Sequence, residues 1–157
     1  MIFETRHLFE KYTDKKTFEN IKEYATLVEM MENSVNNYAD DFAITDASGS
    51  YTYRQLGNDV AAFRGVLKAH GVAVGSRVGI IGANSYNFVK TFLAVTTYGC
   101  PAVVLPMQLD DKTIFGCSMK FGMSALVYHD LLGEKIEFAR NTNKALVCLE
   151  WSEAGEA

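Results

Sequence analysis

The chain has 157 residues, of which 48% are hydrophobic and 22% charged, and its net charge is −4 at pH 7. These values are typical of one globular domain; they exclude a membrane-spanning run of about 20 apolar residues, and the absence of a Lys/Arg cluster argues against a nucleic-acid partner. The first sixteen residues mix charged and apolar side chains, so no secretory signal is predicted and a cytoplasmic location is expected.

The first predicted element after an N-terminal extension at residues 1–25 is an amphipathic helix. Thr26 and Glu29 have the spacing of a capping box, in which each side chain bonds a free backbone N–H at the helix start. Apolar residues then recur at helical spacing. The face expected to be buried comprises Leu27, Met31, Val35 and Tyr38.

A hairpin and a second helix complete the region from residue 26 to residue 76. The pattern predicts strands at 42–46 and 51–53, joined by a Ser-Gly-Ser turn. Thr52 and Gln55 repeat the capping-box spacing, and the helix that they begin ends near Gly71. Its expected buried residues are Leu56, Val60, Phe63 and Leu67.

From residue 77 to residue 149, short apolar strands alternate with helices. The predicted strands are Val78–Ile81, Ala102–Leu105, Ala125–Tyr128 and Ala145–Leu149. Because parallel strands need crossover connections and these runs are almost wholly apolar, we expect an α/β fold with an open, mostly parallel sheet of about four strands and flanking helices. Residues 1–157 are expected to form a single domain, with a solvated or disordered acidic tail at 150–157.

The three crossover helices each have a candidate N-cap. In chain order the candidates are Asn84 or Ser85, Asp110 or Asp111, and Asp130. The residues expected to face the core are Phe88, Phe92 and Val95 in the first helix, Ile114, Cys117 and Phe121 in the second, and Leu132, Ile136 and Ala139 in the third.

No catalytic signature is present, since the chain has no GxxxxGK[ST] loop, GxSxG elbow, HExxH or GxGxxG motif. The nearest candidate is the turn at residues 79–85, where a strand ends at a helix N-terminus and backbone N–H groups could bind an anion. The alternative, which we favour, is a plain tight turn with an Asn or Ser cap. We therefore predict that the chain contains no catalytic, cofactor-binding or metal-binding residue.

Other polar residues do not form a site either. The histidines and cysteines are far apart and lack metal-ligand spacing, and the three cysteines are too few and too scattered for a disulfide framework. The adjacent acids are interpreted as helix caps or solvated residues. These groups are His7, His70 and His129, Cys100, Cys117 and Cys148, and the pairs Asp40-Asp41 and Asp110-Asp111.

Several segments, in order, resemble the adenylate-forming (AMP-binding) enzymes. Residues 51–56, YTYRQL, are similar to the L-T-Y-x-E-L motif of that superfamily, and residues 67–80 resemble its L-x-x-x-G-V-x-x-G-D-x-V-x-I. Asn84-Ser85 matches its N-S, and residues 92–106 resemble its A-x-x-x-x-G followed by apolar residues and proline. Ser76, in place of the usual Asp, and Gln55, in place of Glu, depart from the pattern.

The resemblance implies an N-terminal segment of an acyl-CoA synthetase, an acid–thiol ligase that uses ATP to make an acyl adenylate and passes the acyl group to coenzyme A. The N-terminal helix and residues 33–41 resemble the N-x-x-x-x-Y-x-D-x-x-A entry of long-chain acyl-CoA synthetases, which favours a fatty-acid CoA ligase. An adenylation domain of a peptide synthetase is the alternative. ATP, Mg and coenzyme A are expected for the parent enzyme and not for this segment, whose partner would be the rest of the ligase.

Two further expectations concern the isolated chain. A sheet cut short leaves an unpaired edge and uncovered apolar surface, so we expect a homo-oligomer. The competing hypothesis is a self-contained α/β binding or regulatory module that uses the crevice at the carboxyl ends of the strands.

Overall fold

The computed structural model describes residues 10–20 and 22–151. The helices are α1 (Lys15–Glu19), α2 (Leu27–Tyr38), α3 (Tyr53–Ala69), α4 (Tyr86–Thr97), α5 (Asp111–Lys120) and α6 (Gly133–Thr142), with a 3-10 turn at Asp130–Leu132. The strands are β1 (Phe42–Asp46), β2 (Gly49–Thr52), β3 (Arg77–Ile81), β4 (Ala102–Leu105), β5 (Met123–His129) and β6 (Val147–Trp151). Within the described ranges, no helix has the length and apolar character needed to cross a bilayer.

The strands form two sheets. β1 and β2 make a small antiparallel hairpin, and the other four strands make a parallel sheet in the order β4-β3-β5-β6. Ile80 in β3 lies opposite Val104 on one side and Val127 on the other, which fixes the register. The predicted α/β fold with an open parallel sheet is confirmed.

Alternate residues of each parallel strand face opposite helical layers. Ile80 packs in one cluster with Leu67 of α3 and Val95 of α4, whereas Ile81, the next residue, packs in another with Ile114 of α5. All five side chains are fully buried. Burial of one such side chain stabilises the fold by about 1.5–3 kcal/mol, so the two apolar clusters hold the helices on both faces of the sheet.

The hairpin and α2 form an outer layer on α3 and α4. The rings of Tyr51 in β2 and Tyr86 in α4 stack with their centroids 3.7 Å apart. The hydroxyl of Tyr86 donates a hydrogen bond to Asp59 Oδ2 in α3 at 2.6 Å, and burial together with that carboxylate raises the pKa of Tyr86. One tyrosine therefore joins the hairpin, α3 and α4.

Two predicted helix faces are only partly buried. Leu27 and Tyr38 at the ends of α2 stay 40% and 52% exposed because α2 contacts the rest of the protein along one side of an outer layer. Phe121, which was predicted to face the core, follows α5 as its C-cap and is 41% exposed, since the chain reverses there into β5.

The predicted cap at Asp130 is wrong. β5 runs on to His129, and the next three residues form the 3-10 turn, so the Asp130 carboxylate accepts from the adjacent N–H of Leu131 at 2.7 Å. Helix α6 begins after Leu132 without a side-chain cap. The side chains that were predicted to face inward from this helix, Leu132, Ile136 and Ala139, are buried.

The last strand lies two residues later than predicted. β6 covers Val147–Trp151, so Glu150 and Trp151 belong to the sheet and not to an acidic tail. The reason is packing: Trp151 is buried, and Glu150 accepts a hydrogen bond from the Tyr128 hydroxyl at 3.1 Å. The rest of the predicted tail, residues 152–157, lies outside the described residues.

Candidate functional site

The parallel sheet has a topological switch point at the carboxyl ends of its central strands. From β3 the chain enters α4 on one face and returns as β4, whereas from β5 it enters α6 on the other face and returns as β6. Ligands of open α/β sheets bind in the crevice outside such strand ends. The switch point itself lies between β3 and β5, and an open groove of about 360 Å³ lies beside it, between the turn after β3 and the loop after β4, lined in part by Gly82, Asn84, Phe88, Pro106 and Met107.

The predicted turn at residues 79–85 leads into α4, and Ser85 is its N-cap. Ser85 Oγ accepts the backbone N–H of Phe88 at 3.3 Å. A second oxygen comes from the hairpin, because Asp46 Oδ2 accepts the backbone N–H of Tyr86 at 2.7 Å. This N–H bond holds the pKa of the Asp46 carboxyl below its ordinary value.

The anion at the N-terminus of α4 is therefore a side chain of the protein itself, the Asp46 carboxylate. A free N-terminus offers its backbone N–H groups and its partial positive charge to a phosphate. At α4 the Asp46 carboxylate takes that position, and its two oxygens also accept from Ser48 N and Gly49 N within the hairpin turn, besides Tyr86 N. The contact between residues 46 and 86 has no local sequence signal, and sequence reasoning missed it.

Trp151 closes the carboxyl end of β3. A Cβ atom on Gly82 would lie 2.3 Å from Trp151 Cζ2 and 3.4 Å from the Cβ of His129, so glycine permits the close approach of the indole. The Trp151 ring also meets the ring of Phe88 edge-on, with centroids 6.5 Å apart. Its Nε1 is buried and has no hydrogen-bond partner among the residues that the structure describes.

The other polar residues named from the sequence lie apart. His70 is the C-cap residue of α3, and His129 is buried at the end of β5. His7 lies outside the described residues. Asp40 pairs with Arg54 at 3.0 Å, and Asp110 caps α5 by accepting from the N–H of Thr113 at 2.7 Å.

The residues of this crevice do not fit ATP with Mg²⁺. Mg²⁺ that is bound with a nucleotide is usually held by one or two carboxylates besides the phosphates, and no carboxylate lines this groove. The groove lining has no charged side chain, and the nearby helix N-terminus is bonded to Asp46. The three cysteines are free thiols.

Two curated proteins resemble parts of the chain. It is 29% identical over 126 residues to a polyketide synthase–nonribosomal peptide synthetase of Aspergillus flavipes, covering 79% of this chain and 3% of that protein. It is 32% identical over 71 residues to an acyl-CoA ligase of Penicillium expansum, covering 45% of the chain and 15% of the ligase.

A solved structure, an anthranilate CoA ligase in complex with anthranoyl-AMP, superimposes with a TM-score of 0.76 at 22% identity. It covers 85% of this chain and 26% of the ligase, so the chain spans about a quarter of that structure and a smaller share of the two curated relatives. The profile of the family described as AMP-binding enzyme matches residues 31–155, a longer stretch than the motifs quoted above. The chain belongs to the AMP-binding enzyme family.

Proposed function

We propose that the chain is the N-terminal scaffold of an AMP-forming acid–thiol ligase that activates a fatty acid with ATP and transfers the acyl group to coenzyme A. The family match over residues 31–155 carries this proposal. In the reaction that the family membership suggests, a carboxylate oxygen attacks the α-phosphorus of ATP and pyrophosphate leaves; the thiol sulfur then attacks the acyl carbon and AMP leaves.

The recurring motifs of the chain have structural roles in this fold. Thr52 Oγ1 accepts the N–H of Gln55 at 3.2 Å, and the Gln55 side chain accepts the N–H of Thr52 at 2.9 Å, which completes a capping box. Gly99 has a φ of +90°, a left-handed conformation that favours glycine where the chain turns from α4 towards β4. These contacts support a structural role for the motif residues.

ATP, Mg²⁺ and coenzyme A would accordingly be bound by other parts of a longer polypeptide. The Asp46 carboxylate at the N-terminus of α4 supports this view, because a phosphate there would meet a negative charge at the position that it needs. We propose no catalytic, cofactor or metal residue in residues 1–157.

The relatives suggest two classes of carboxylic acid that the parent enzyme would activate. A fatty-acid CoA ligase is favoured by the similarity of residues 33–41 to the entry motif of long-chain ligases and by the acyl-CoA ligase among the relatives. An adenylation domain of a peptide synthetase is the alternative, because the relative from Aspergillus flavipes is a synthetase of that kind.

Two measurements test the proposal. First, calorimetric titration of the 157-residue chain with ATP and Mg²⁺ should give no heat of binding, and micromolar binding would contradict the scaffold role. Second, the reading frame that encodes the chain is expressed up to its stop codon, and ATP–pyrophosphate exchange is measured with long-chain fatty acids and with amino acids. Exchange with fatty acids and acyl-CoA formation are expected; exchange with amino acids alone would establish the alternative.

A further inference from the structure

The amino ends of the four parallel strands form the side of the molecule opposite the crevice. The loops that enter these strands are residues 70–76, 98–101, 121–122 and 143–146. Neighbouring loops are in contact, because Gly75 N donates to Gly99 O at 2.9 Å. Asn143 Nδ2 likewise donates to Met119 Sδ in the last turn of α5 at 3.7 Å. These loops, the last turns of the helices before them and the first residue of β3 make up the amino-end face.

The amino-end face is basic, although the net charge of the chain is −4. No Asp or Glu occurs in the residues that form it, which are 66–77, 94–101, 117–122 and 139–146. Its exposed cationic side chains are Lys68, Arg77, Lys120 and Lys144. In residues 10–20 and 22–151 none of these four forms an ion pair. A fifth cation, Arg140, donates to the Tyr128 hydroxyl in the sheet.

Helix termini account for part of this charge. Cations are favoured at helix C-termini, and Lys68 and Lys120 lie in the last turns of α3 and α5. Arg77 begins β3 and Lys144 lies in the loop before β6, so neither is explained in this way. The Arg77 guanidinium lies beside the turn that follows Lys120, since a Cβ atom on Gly122 would be 3.7 Å from its Nη1. The fold therefore gathers cations that are far apart in the sequence.

Large apolar side chains are exposed among these cations. Val74 in the loop before β3 is 67% exposed, and Met119 in the last turn of α5 is 57% exposed. Phe121, which directly follows Lys120, is exposed as well. Exposed apolar surface that is surrounded by polar residues commonly marks a contact with a protein or a membrane. The amino-end face therefore has the features of a binding surface.

We propose that the amino-end face binds the surface of a membrane that contains anionic lipids. Lys and Arg side chains are attracted to the negative potential of such a surface, and apolar side chains among them enter the boundary between headgroups and acyl chains. A nucleic acid would engage the cations but not the apolar side chains, and contacts between proteins are depleted of Lys. In this orientation the crevice at the carboxyl ends of the strands faces away from the membrane.

Co-sedimentation with lipid vesicles tests the membrane contact. The 157-residue chain should bind vesicles of phosphatidylcholine mixed with phosphatidylserine, but not vesicles of phosphatidylcholine alone. Binding should fall steeply between about 0.1 M and about 1 M salt, because the screening length shortens from about 10 Å to about 3 Å. The same measurements are made on the polypeptide that the complete reading frame encodes.

Two substitutions in α5 locate the binding surface. Lys120→Gln should lower the binding constant for phosphatidylserine vesicles by about fivefold, the effect of removing one cation near an anionic surface. Lys112→Gln is the matched control, since Lys112 is exposed in the first turn of the same helix, at the carboxyl-end side of the sheet. This variant has the same net charge as Lys120→Gln and should bind like wild type.

A fluorescent reporter tests the insertion of apolar side chains. Trp151, the one tryptophan of the chain, is buried and supplies a constant background. The emission of Phe121→Trp should shift to shorter wavelength when phosphatidylserine vesicles are added. Leu131→Trp is the control, because Leu131 is 81% exposed in the turn after β5, and its emission should not shift. Both positions are exposed, so the readout does not depend on a change in the core.

Five results would overturn the proposal. They are no binding to phosphatidylserine vesicles, as expected if an acidic protein is the partner; equal binding to phosphatidylcholine alone; equal binding by K120Q and K112Q; equal emission shifts in F121W and L131W; and binding by the 157-residue chain but not by the complete polypeptide, in which other residues would then cover this face. None of these measurements involves ATP or a carboxylic acid, so their failure is distinct from failure of the proposed ligase function.

Discussion

The Asp46 side chain changes the interpretation of the turn at residues 79–85. Viewed locally, the turn before α4 is a candidate anion site, because a strand end meets a helix N-terminus. The hairpin brings the Asp46 carboxylate to that terminus, where it accepts the N–H of Tyr86. The same bond that removes a ligand site fastens the hairpin to the central sheet.

Replacing Asp46 by Asn should lower the free energy of unfolding by up to about 1 kcal/mol at pH 7, because the amide oxygen can still accept a hydrogen bond but the negative charge at the N-terminus of α4 is lost. The N–H of Tyr86 lowers the pKa of Asp46 below 3.8 in the folded protein. The stabilisation is therefore fully present above the unfolded-state pKa and is lost as pH falls through the lower folded-state value. Urea unfolding at pH 7, 5 and 3.5 measures this change.

Asp41→Asn is the matched control for Asp46→Asn. Asp41 is exposed, and its side chain makes no hydrogen bond among the described residues, so its replacement should change stability by less than about 0.5 kcal/mol. If the difference between wild type and D46N did not shrink towards low pH, the carboxylate would not be the stabilising group.

At the scale of elements, strand prediction depended on how much of each strand is apolar. β4 was predicted with its observed bounds and β3 to within one residue, because continuous apolar runs are typical of the strands of a parallel sheet that is flanked by helices. β6 was predicted two residues early, because Glu150 interrupts its apolar run. The hydrogen bond from the Tyr128 hydroxyl that accommodates Glu150 comes from β5 and cannot be deduced from the sequence around β6.

The close approach of Trp151 to Gly82 predicts that Gly82→Ala is destabilising. The added methyl group would lie 2.3 Å from Trp151 Cζ2, and overpacking of this kind typically costs about 1–3 kcal/mol. Gly65→Ala is the matched control, since Gly65 lies inside α3 with nothing within 4 Å of the added atom and should gain up to about 1 kcal/mol. Thermal unfolding of both variants decides the point, and equal midpoints would mean that Trp151 does not cover Gly82.

The whole molecule consists of a central sheet with two helical layers and an outer layer of α2 and the hairpin. The sequence predicted the central part well, because every βα unit carries its own apolar run and the first two also have a side-chain cap and a terminating glycine. The sequence also predicted α2 and the hairpin as separate elements, but it did not predict that they pack together as a layer on α3 and α4. The contacts that dock it, from Asp46 and Tyr51 to Tyr86 and from Tyr86 to Asp59, join residues 27 to 40 positions apart.

This division predicts that the two parts of the molecule differ in local stability, and Tyr86→Phe tests it. The variant loses the hydrogen bond to the Asp59 carboxylate, a contribution of about 1.5–3 kcal/mol for a charged acceptor, but keeps the ring that stacks on Tyr51. Hydrogen exchange of amides in β1 and β2 should accelerate by about tenfold or more, whereas amides in β3 and β5 should change less, because the outer layer can open without the central sheet.

Tyr98→Phe is the matched control: its hydroxyl donates to Val72 O at 3.1 Å within the central layers, so exchange in the hairpin should be unaffected beyond any global change. Equal acceleration of hairpin and central-sheet amides in Tyr86→Phe would mean that the layers unfold as one unit, since a shared unfolding event raises exchange at every protected amide by the same factor.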